Sequence, residues 1–391
     1  MKKSAGRKHL GSLFVLFSIF LGLSACMPLE REANNQTNEK AKILSEDTPI
    51  NLPEHISYQV SDHISVDAQI SYPKSHKDYT LDRILLKRQL FQLKDIVKIW
   101  GDCNQSKWTG KQKVSDITLE NGEKTYQYYA KYKKDQEFIG NSVYFLYNSH
   151  DLEKETALIG QANYRTVNGL SFATNTNLDF KTIDEAEKDI KSKIKQFGIN
   201  DILEDRIQYT VTLQGLKKAA AARGDSYKDY MESCDLNNIT LEKNDEMYQF
   251  IYRQGFKEIP FMPYPVSSAE TENIYSDTES GIYVLYGQKG ISFFQASNMY
   301  DFHGTKGTET ILAPGKLLDI FCSDQEKNLI NEHLIVKEIK IAYLPKLKDR
   351  NQLLFEATPV WCFVYEMEQK DTVEPYIDVA IYDALNGRKC E

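Results

Sequence analysis

The hydrophobic positions along the chain follow two periods, one typical of strands and one typical of helices. Apolar and polar residues alternate between residues 64 and 72, which predicts a half-buried strand. Apolar residues at helical spacing across 93–100 predict a short helix, which Gly101 would end. Tyrosine-rich segments predict strands over roughly 123–150.

The clearest helix is predicted for residues 182–198. Thr182 and Glu185 have the spacing of a capping box, in which each residue bonds a backbone amide of the other. The apolar residues from Ile183 to Phe197 share one face, and Gly198 would stop the helix. A strand is expected at residues 207–215, followed by a helix over 215–234.

The second half of the chain opens with a proline-rich segment and a hairpin. Three prolines interrupt regular structure at residues 258–268, where we expect a boundary between halves. Residues 281–294 predict a hairpin with Gly287 and Gly290 in its turn. Ser323 and Glu326 predict a second capping box that opens another helix.

Three long apolar segments end the chain and predict an antiparallel meander. They cover residues 335–344, 353–367 and 376–389, and an Asn-Gly turn follows the last strand. Both faces are apolar around Trp361, so the middle segment should be a central buried strand. The predicted class is α+β, with antiparallel sheets each covered by one or two helices. We expect an N-terminal α+β domain at 51–175 and a C-terminal α+β region at 176–391.

The first 25 residues have the features of a bacterial lipoprotein signal. A basic start, with Lys2, Lys3, Arg7 and Lys8, precedes an apolar run that is too short to span a bilayer, which needs about 20 residues. Leu-Ser-Ala-Cys at 23–26 matches a lipobox, in which small residues admit the peptidase and the cysteine thiol accepts the lipid. Cys26 is therefore the predicted lipidation site, with acyl chains such as palmitate holding it in the membrane. An ordinary secretory signal is the alternative.

Charge and composition limit the partners of the remaining chain. Removing residues 1–25 and their four positive charges leaves 366 of 391 residues and takes the net charge from −8 to −12. Such an acidic chain is not expected to bind nucleic acid. The polar segment 26–50 should be a disordered tether spanning about 25–30 Å. These features predict a protein attached to the extracytoplasmic face of the cell membrane.

Catalytic and metal-binding patterns are weak, so we predict no enzyme, no cofactor and no metal site. The histidines are scattered, and the glycine-rich segment 303–309 is expected to be a loop because no helix follows it closely. Ser192 and Lys195 match a Ser-x-x-Lys pattern but should lie on the polar face of the 182–198 helix. Glu366 and Glu368 could share one face of a strand, an arrangement far commoner on solvent-facing edges than in glycosidases.

Two further features have simple explanations. The tripeptide at 223–225, Arg-Gly-Asp, falls inside or beside a predicted helix and is attributed to chance. Five cysteines remain besides Cys26, an odd number without close spacing, and their pairing stays open. These five are Cys103, Cys234, Cys322, Cys362 and Cys390.

The C-terminal third resembles PepSY-like domains. ATPVWCFVYEM, followed by YIDVAIYDALNGRK, resembles the last strands of such a domain, and KTIDEAEKDIKSKIKQFGI resembles its helix. With its early Val66-Asp67-Ala68 strand, the whole chain also resembles uncharacterised lipoproteins of Gram-positive gut bacteria. The resemblance implies PepSY-like modules in the C-terminal half and a restraining action on a protease or sensor kinase.

Three functions follow as expectations. The first is a non-catalytic binding or regulatory lipoprotein that acts on a membrane or envelope partner. The second is a surface hydrolase whose acidic residues converge only in the fold, and the third is a solute-binding lipoprotein of a transporter. The sequence leaves the partner, the ligand and the oligomeric state open.

Overall fold

A computed structural model describes most of the chain beyond the predicted tether. The described residues are 52–76, 78–100, 108–119, 122–132, 136–141, 144–148, 172–204, 206–223, 240–262, 280–327, 332–368 and 376–390. Cys26 and the predicted signal and tether lie outside them. Among the described residues, no helix has the length and apolar character needed to cross a membrane.

Strands dominate the described part of the chain. The strands are β1 (His55–Gln59), β2 (Ile64–Ser71), β3 (Thr80–Arg88), β4 (Trp108–Thr118), β5 (Lys124–Tyr132), β6 (Gln136–Gly140), β7 (Tyr144–Asn148), β8 (Ile207–Val211), β9 (Met247–Arg253), β10 (Gly255–Phe256), β11 (Ile259–Pro260), β12 (Gly281–Gly287), β13 (Gly290–Ser297), β14 (Tyr300–Thr310), β15 (His333–Asp349), β16 (Leu354–Glu368) and β17 (Tyr376–Asp383). The α-helices are α1 (Leu93–Trp100), α2 (Ile183–Gln196), α3 (Leu213–Arg223) and α4 (Pro314–Glu326).

The predicted α+β class, with helices covering each sheet, is wrong. Of the described residues, 53% lie in strands and 19% in helices, so the chain is mostly β. The physical reason is the width of the sheets. Eight strands about 4.8 Å apart extend over roughly 35 Å, whereas one helix is about 10–12 Å across. A single helix on such a face leaves most of it to be covered by other elements.

The described residues form two compact units that are interleaved along the sequence. The first unit takes residues 89–253 and 280–299, and the second takes 52–88, 254–262 and 300–390. Residue 175, at which the sequence analysis divided the chain, lies inside the first unit.

The first unit contains an eight-stranded antiparallel sheet in the order β4-β5-β6-β7-β13-β12-β9-β8. The predicted helix at 182–198 is confirmed as α2, and the Thr182–Glu185 capping box is present. Its buried residues pack with sheet residues such as Phe250 and Val284 in one hydrophobic core. The positive φ of Gly198, +70°, ends the helix as predicted.

The second unit contains a seven-stranded sheet in the order β1-β2-β15-β16-β3-β14, with β17 also paired to β16. The predicted meander is confirmed, because β15, β16 and β17 pair antiparallel in sequence order. Only the β2–β15 pair is parallel among the described strand pairs of this sheet. The strand predicted at 64–72 is confirmed as β2, with Ile64, Val66 and Ala68 buried.

Trp361 lies at the centre of the core of the second unit, as predicted. Its side chain is fully buried, and its indole N–H donates to the carbonyl of Leu312 at 3.0 Å. The Tyr72 ring stacks on it with centroids 5.8 Å apart. The buried Phe321 of α4 stacks on Phe363 of the same strand, with centroids 5.4 Å apart. Strand β16 is therefore anchored by aromatic contacts on one face.

Two local predictions in the last third are wrong. Ser323 and Glu326 do not open a helix, because α4 begins nine residues earlier with Pro314 at its first turn. Proline fits that position because its missing N–H has no helical partner there. Residues 303–309 are not a loop but part of β14, where Gly304 and Gly307 have φ of +134° and +143° at two register shifts. Glycine tolerates the positive φ at these two bulges. The glycines led us to expect a loop, whereas they allow the strand to bulge.

Replacing Ile190 by alanine tests the packing of α2. The Ile190 side chain is fully buried, so the variant should lose about 2–4 kcal/mol of the free energy of unfolding. Lys188→Ala, at an exposed position on the same helix, is the matched control and should stay within about 0.5 kcal/mol of the unmodified protein. Urea unfolding followed by circular dichroism measures both, and equal losses would contradict the packing described here.

Candidate functional site

An open pocket of about 390 Å³ lies in the second unit. Thr80 and Asp82 belong to β3, and Thr308 belongs to the neighbouring edge strand β14. Lys257 comes from the turn between β10 and β11. The lining residues are Ser75, His76, Asp78, Thr80, Asp82, Lys257 and Thr308. Charged groups of both signs and three hydroxyl groups therefore surround one space.

Asp82 is the acceptor at the centre of the polar contacts. Its Oδ2 lies 2.8 Å from the Nζ of Lys257, and its Oδ1 accepts a hydrogen bond of 2.8 Å from the Thr308 hydroxyl. The hydrogen bond from Lys257 is the main cause that lowers the pKa of Asp82 below its ordinary value, with smaller contributions from Thr308 and His76. Asp82 is thus an ionised, fixed acceptor and not a proton donor at neutral pH.

Lys257 is held in an uncommon backbone conformation. Its φ is +48° and that of Glu258 is +69°, although neither residue is glycine or asparagine. Such a left-handed position costs about 1–3 kcal/mol per residue and persists only where surrounding structure fixes it. The ion pair with Asp82 is one such constraint, and the Lys257 ammonium also lies 5.2 Å from the centroid of the Phe256 ring.

An aromatic pair with one exposed ring, that of Phe302, lies beside Lys257 in the sequence. The rings of Phe256 and Phe302 stack with centroids 4.9 Å apart and planes 7° from parallel. The Phe302 side chain is 43% exposed, unusually open for a large apolar residue. Phe302 therefore offers a flat apolar surface on β14, the strand that also carries Thr308 of the pocket.

The loop between β2 and β3 forms the opposite side of the pocket and is tied to the core. Tyr72, which stacks on Trp361, donates its hydroxyl to the Asp78 carbonyl at 3.0 Å. The Asp78 carboxylate accepts from the Thr80 backbone amide at 3.2 Å and from the Thr80 hydroxyl. His76 packs edge-on against Tyr72, with centroids 6.3 Å apart. The loop residues of the pocket are thus positioned by the buried core.

A second charged cluster surrounds Glu356 in the same unit. Its carboxylate contacts the Nζ of Lys306 at 2.9 Å and that of Lys348 at 3.3 Å, and it also pairs with Arg83. Burial alone would raise the pKa of Glu356, but hydrogen bonds from these three cations outweigh it and lower the pKa to about 2. Arg83 also reaches Glu309 at 3.4 Å. The cluster links β3, β14, β15 and β16 across the sheet.

The residues that the sequence analysis considered for chemistry are dispersed. Ser192 and Lys195 are exposed on α2, as expected for its polar face. Glu366 and Glu368 lie at the end of β16, away from the residues that line the pocket. Arg223 is the last residue of α3, and the other two residues of its tripeptide lie outside the described part. No group of three metal-ligating side chains occurs among the described residues.

Three of the five cysteines other than Cys26, and His76, lie in the described part of the chain. Cys322, Cys362 and Cys390 form no disulfide among the described residues, and Cys103 and Cys234 lie outside those residues. His76 is one of the histidines that are scattered in the sequence, and it lines the pocket. Sequence signals for the pocket were few, because Asp82 and Thr308 are 226 residues apart and meet only through strand pairing.

Comparisons with known proteins found a similar fold but no matching family. No protein-family model matches the chain, and no curated protein matches it significantly. Among solved structures, the chain is similar to an uncharacterised protein from Eubacterium rectale ATCC 33656, whose crystal structure was determined at 1.45 Å resolution. The identity is 20% and the TM-score 0.62, and the match covers 90% of this chain and 98% of that one. At this identity the match concerns the fold alone.

Glu356→Gln should lower stability in a pH-dependent way. Because the folded pKa of Glu356 is about 2 and its ordinary value is 4.5, its contribution is complete above pH 4.5 and is lost as the pH falls toward 2. The variant should lose about 1–3 kcal/mol at pH 7 and much less at pH 3. Urea unfolding at both pH values measures the difference.

Glu332→Gln, which removes a carboxylate outside this cluster, is the matched control for that measurement. It should change stability by less than about 0.5 kcal/mol at either pH. A Glu356→Gln effect that is as large at pH 3 as at pH 7 would show that the lost stability does not come from the ionised carboxylate.

Proposed function

We propose that this protein is a lipid-anchored, extracytoplasmic binding or regulatory protein that acts on a membrane or envelope partner and has no chemistry of its own. The lipobox at 23–26 and the polar tether at 26–50 motivate the anchor on Cys26. The pocket around Asp82 and Lys257 is the proposed ligand-binding site.

One observation favours binding over general acid catalysis: Lys257 and Thr308 hold the Asp82 carboxylate in its ionised form. A general acid needs a carboxyl group whose pKa is raised toward neutrality, usually by burial or by a second carboxylate. Asp82 has the opposite shift, because Lys257 and Thr308 stabilise its ionised form. Glu356, another carboxylate of the second unit with several partners, is shifted in the same direction by three cations. Fixed ionised carboxylates of this kind suit recognition by hydrogen bonds.

The two alternatives from the sequence are less well supported. A surface hydrolase would have to use acids other than Asp82 and Glu356. A solute-binding lipoprotein is typically built from repeated βα units, whereas the described strands of this chain pair antiparallel except for β2 with β15. The binding and regulatory hypothesis is therefore retained.

Cross-linking in intact cells tests the proposal. We expect that the unmodified protein captures one membrane or envelope protein, such as a sensor kinase or protease, which mass spectrometry identifies. Cys26→Ser should lose this capture because the protein is no longer held at the membrane surface. Cys390→Ser, which removes a thiol that the anchor does not use, should capture the partner as well as the unmodified protein.

Two results would contradict the proposal. The first is the same capture by Cys26→Ser, which would show that lipidation is not needed. The second is substrate turnover by the purified protein that a single substitution abolishes, since a binding protein has no such activity.

A further inference from the structure

We infer that the pocket around Asp82 and Lys257 binds a neutral carbohydrate, with the Phe256–Phe302 pair stacking against a sugar ring. The inference rests on the proposed function and adds the class of ligand to it. Three features of the second unit carry it: the mixed lining of the pocket, the aromatic pair with its exposed Phe302 ring, and the fixed geometry of both.

The charges of the pocket disfavour an ionic ligand. Asp78 and Asp82 place two carboxylates against the Lys257 ammonium and the His76 ring, so the lining carries no net positive charge to attract an anion. A cation would have to compete with the Lys257 ammonium, which already lies 2.8 Å from Asp82. A neutral ligand meets neither barrier.

The hydrogen-bonding groups match the hydroxyl groups of a sugar. A hydroxyl group both donates and accepts, so it can bond to an ammonium group and a carboxylate that lie side by side. Asp82 supplies the acceptor and Lys257 the donor, and Ser75, Thr80 and Thr308 add side-chain hydroxyl groups. Hydrogen bonds to charged groups are about twice as strong as those between neutral groups. Two neighbouring sugar hydroxyls therefore fit the Asp82–Lys257 pair.

The aromatic pair supplies the apolar half of the site. One face of a sugar ring presents C–H groups, which pack favourably against the electron-rich face of an aromatic ring. The Phe302 ring is 43% exposed and nearly parallel to that of Phe256, and the Lys257 ammonium lies 5.2 Å from the Phe256 centroid. Phe302 pairs with Leu86, four positions or about 13 Å along β3 from Asp82, so an extended oligosaccharide bound at Asp82 and Lys257 can also reach the Phe302 ring.

The site is held in place before any ligand binds. Lys257 and Glu258 have positive φ, which sets the backbone conformation of the β10–β11 turn. Asp82 and Thr308 lie opposite each other on the paired strands β3 and β14. Such preorganisation reduces the entropy that binding must overcome. The pocket is open and its volume is near the lower end of the about 300–1,000 Å³ typical of small-molecule sites, so it suits a few sugar units of a longer chain.

Isothermal titration calorimetry of the purified full chain with tetra-N-acetylchitotetraose, cellotetraose and maltotetraose tests the inference. At least one of these neutral tetrasaccharides should bind, and Phe302→Ala and Asp82→Asn should each weaken that binding by about tenfold or more. Ile320→Ala, at another exposed apolar residue of the same unit, and Asp62→Asn, at an exposed acid, are the matched controls and should bind normally. Urea unfolding verifies that each variant is folded.

Three outcomes would overturn the inference. One is no binding of any neutral tetrasaccharide, and another is binding that both pocket variants retain. The third is Asp82-dependent binding of inorganic phosphate or of spermine in place of the saccharides, which would make the ligand ionic. Partner capture in cells distinguishes these outcomes from failure of the proposed function. If the unmodified protein captures a partner and Cys26→Ser does not, the proposed function stands and only the inference of carbohydrate binding is lost.

Discussion

The pairing of β15 with β16 is the interaction on which the second unit depends. These two long strands form one antiparallel ladder from His333–Glu368 to Asp349–Leu354. Strand β2 pairs with the other edge of β15. On the other edge of β16, residues 354–357 pair with β3 and residues 360–367 pair with β17. Because β14 pairs in turn with β3, the position of the proposed binding strands follows from where β3 meets β16. Trp361, on β16, fixes the same ladder to the core.

The charged clusters around Glu356 and around Asp82 differ in how many protein partners the carboxylate has. The cations around Glu356 come from three strands and saturate one carboxylate, which is a structural arrangement across neighbouring strands. Asp82 instead has one ammonium group and one hydroxyl group, in an open pocket. A carboxylate with fewer protein partners keeps more capacity to bond to a ligand, and this difference places the proposed site at Asp82.

Local sequence signals predicted those elements whose determinants are close together in the chain. The helix from Thr182 to Gly198 followed from a capping box and an apolar stripe, and the hairpin at Gly287 and Gly290 followed from its turn. The buried nature of Trp361 followed from apolar residues on both faces of its segment.

Elements that depend on distant partners were missed or misassigned. The glycines of β14 resemble a loop until pairing with β3 makes them bulges. Ser323 and Glu326 have capping spacing, but α4 had already begun at Pro314. The pocket joins residues from three distant parts of the chain, so neither Lys257 nor Asp82 stood out from other charged residues. The width of the sheets, which made the chain mostly β, likewise depends on how many strands pair and not on any one segment.

Amide hydrogen exchange measured by mass spectrometry, with and without a saturating neutral tetrasaccharide, locates the binding site. We expect slower exchange at residues 78–88, 255–260 and 300–310, which carry the pocket and the aromatic pair, with little change elsewhere in the described chain. Slower exchange confined to the eight-stranded sheet of the first unit, or none at all, would contradict the assignment of the binding site to Asp82 and Lys257.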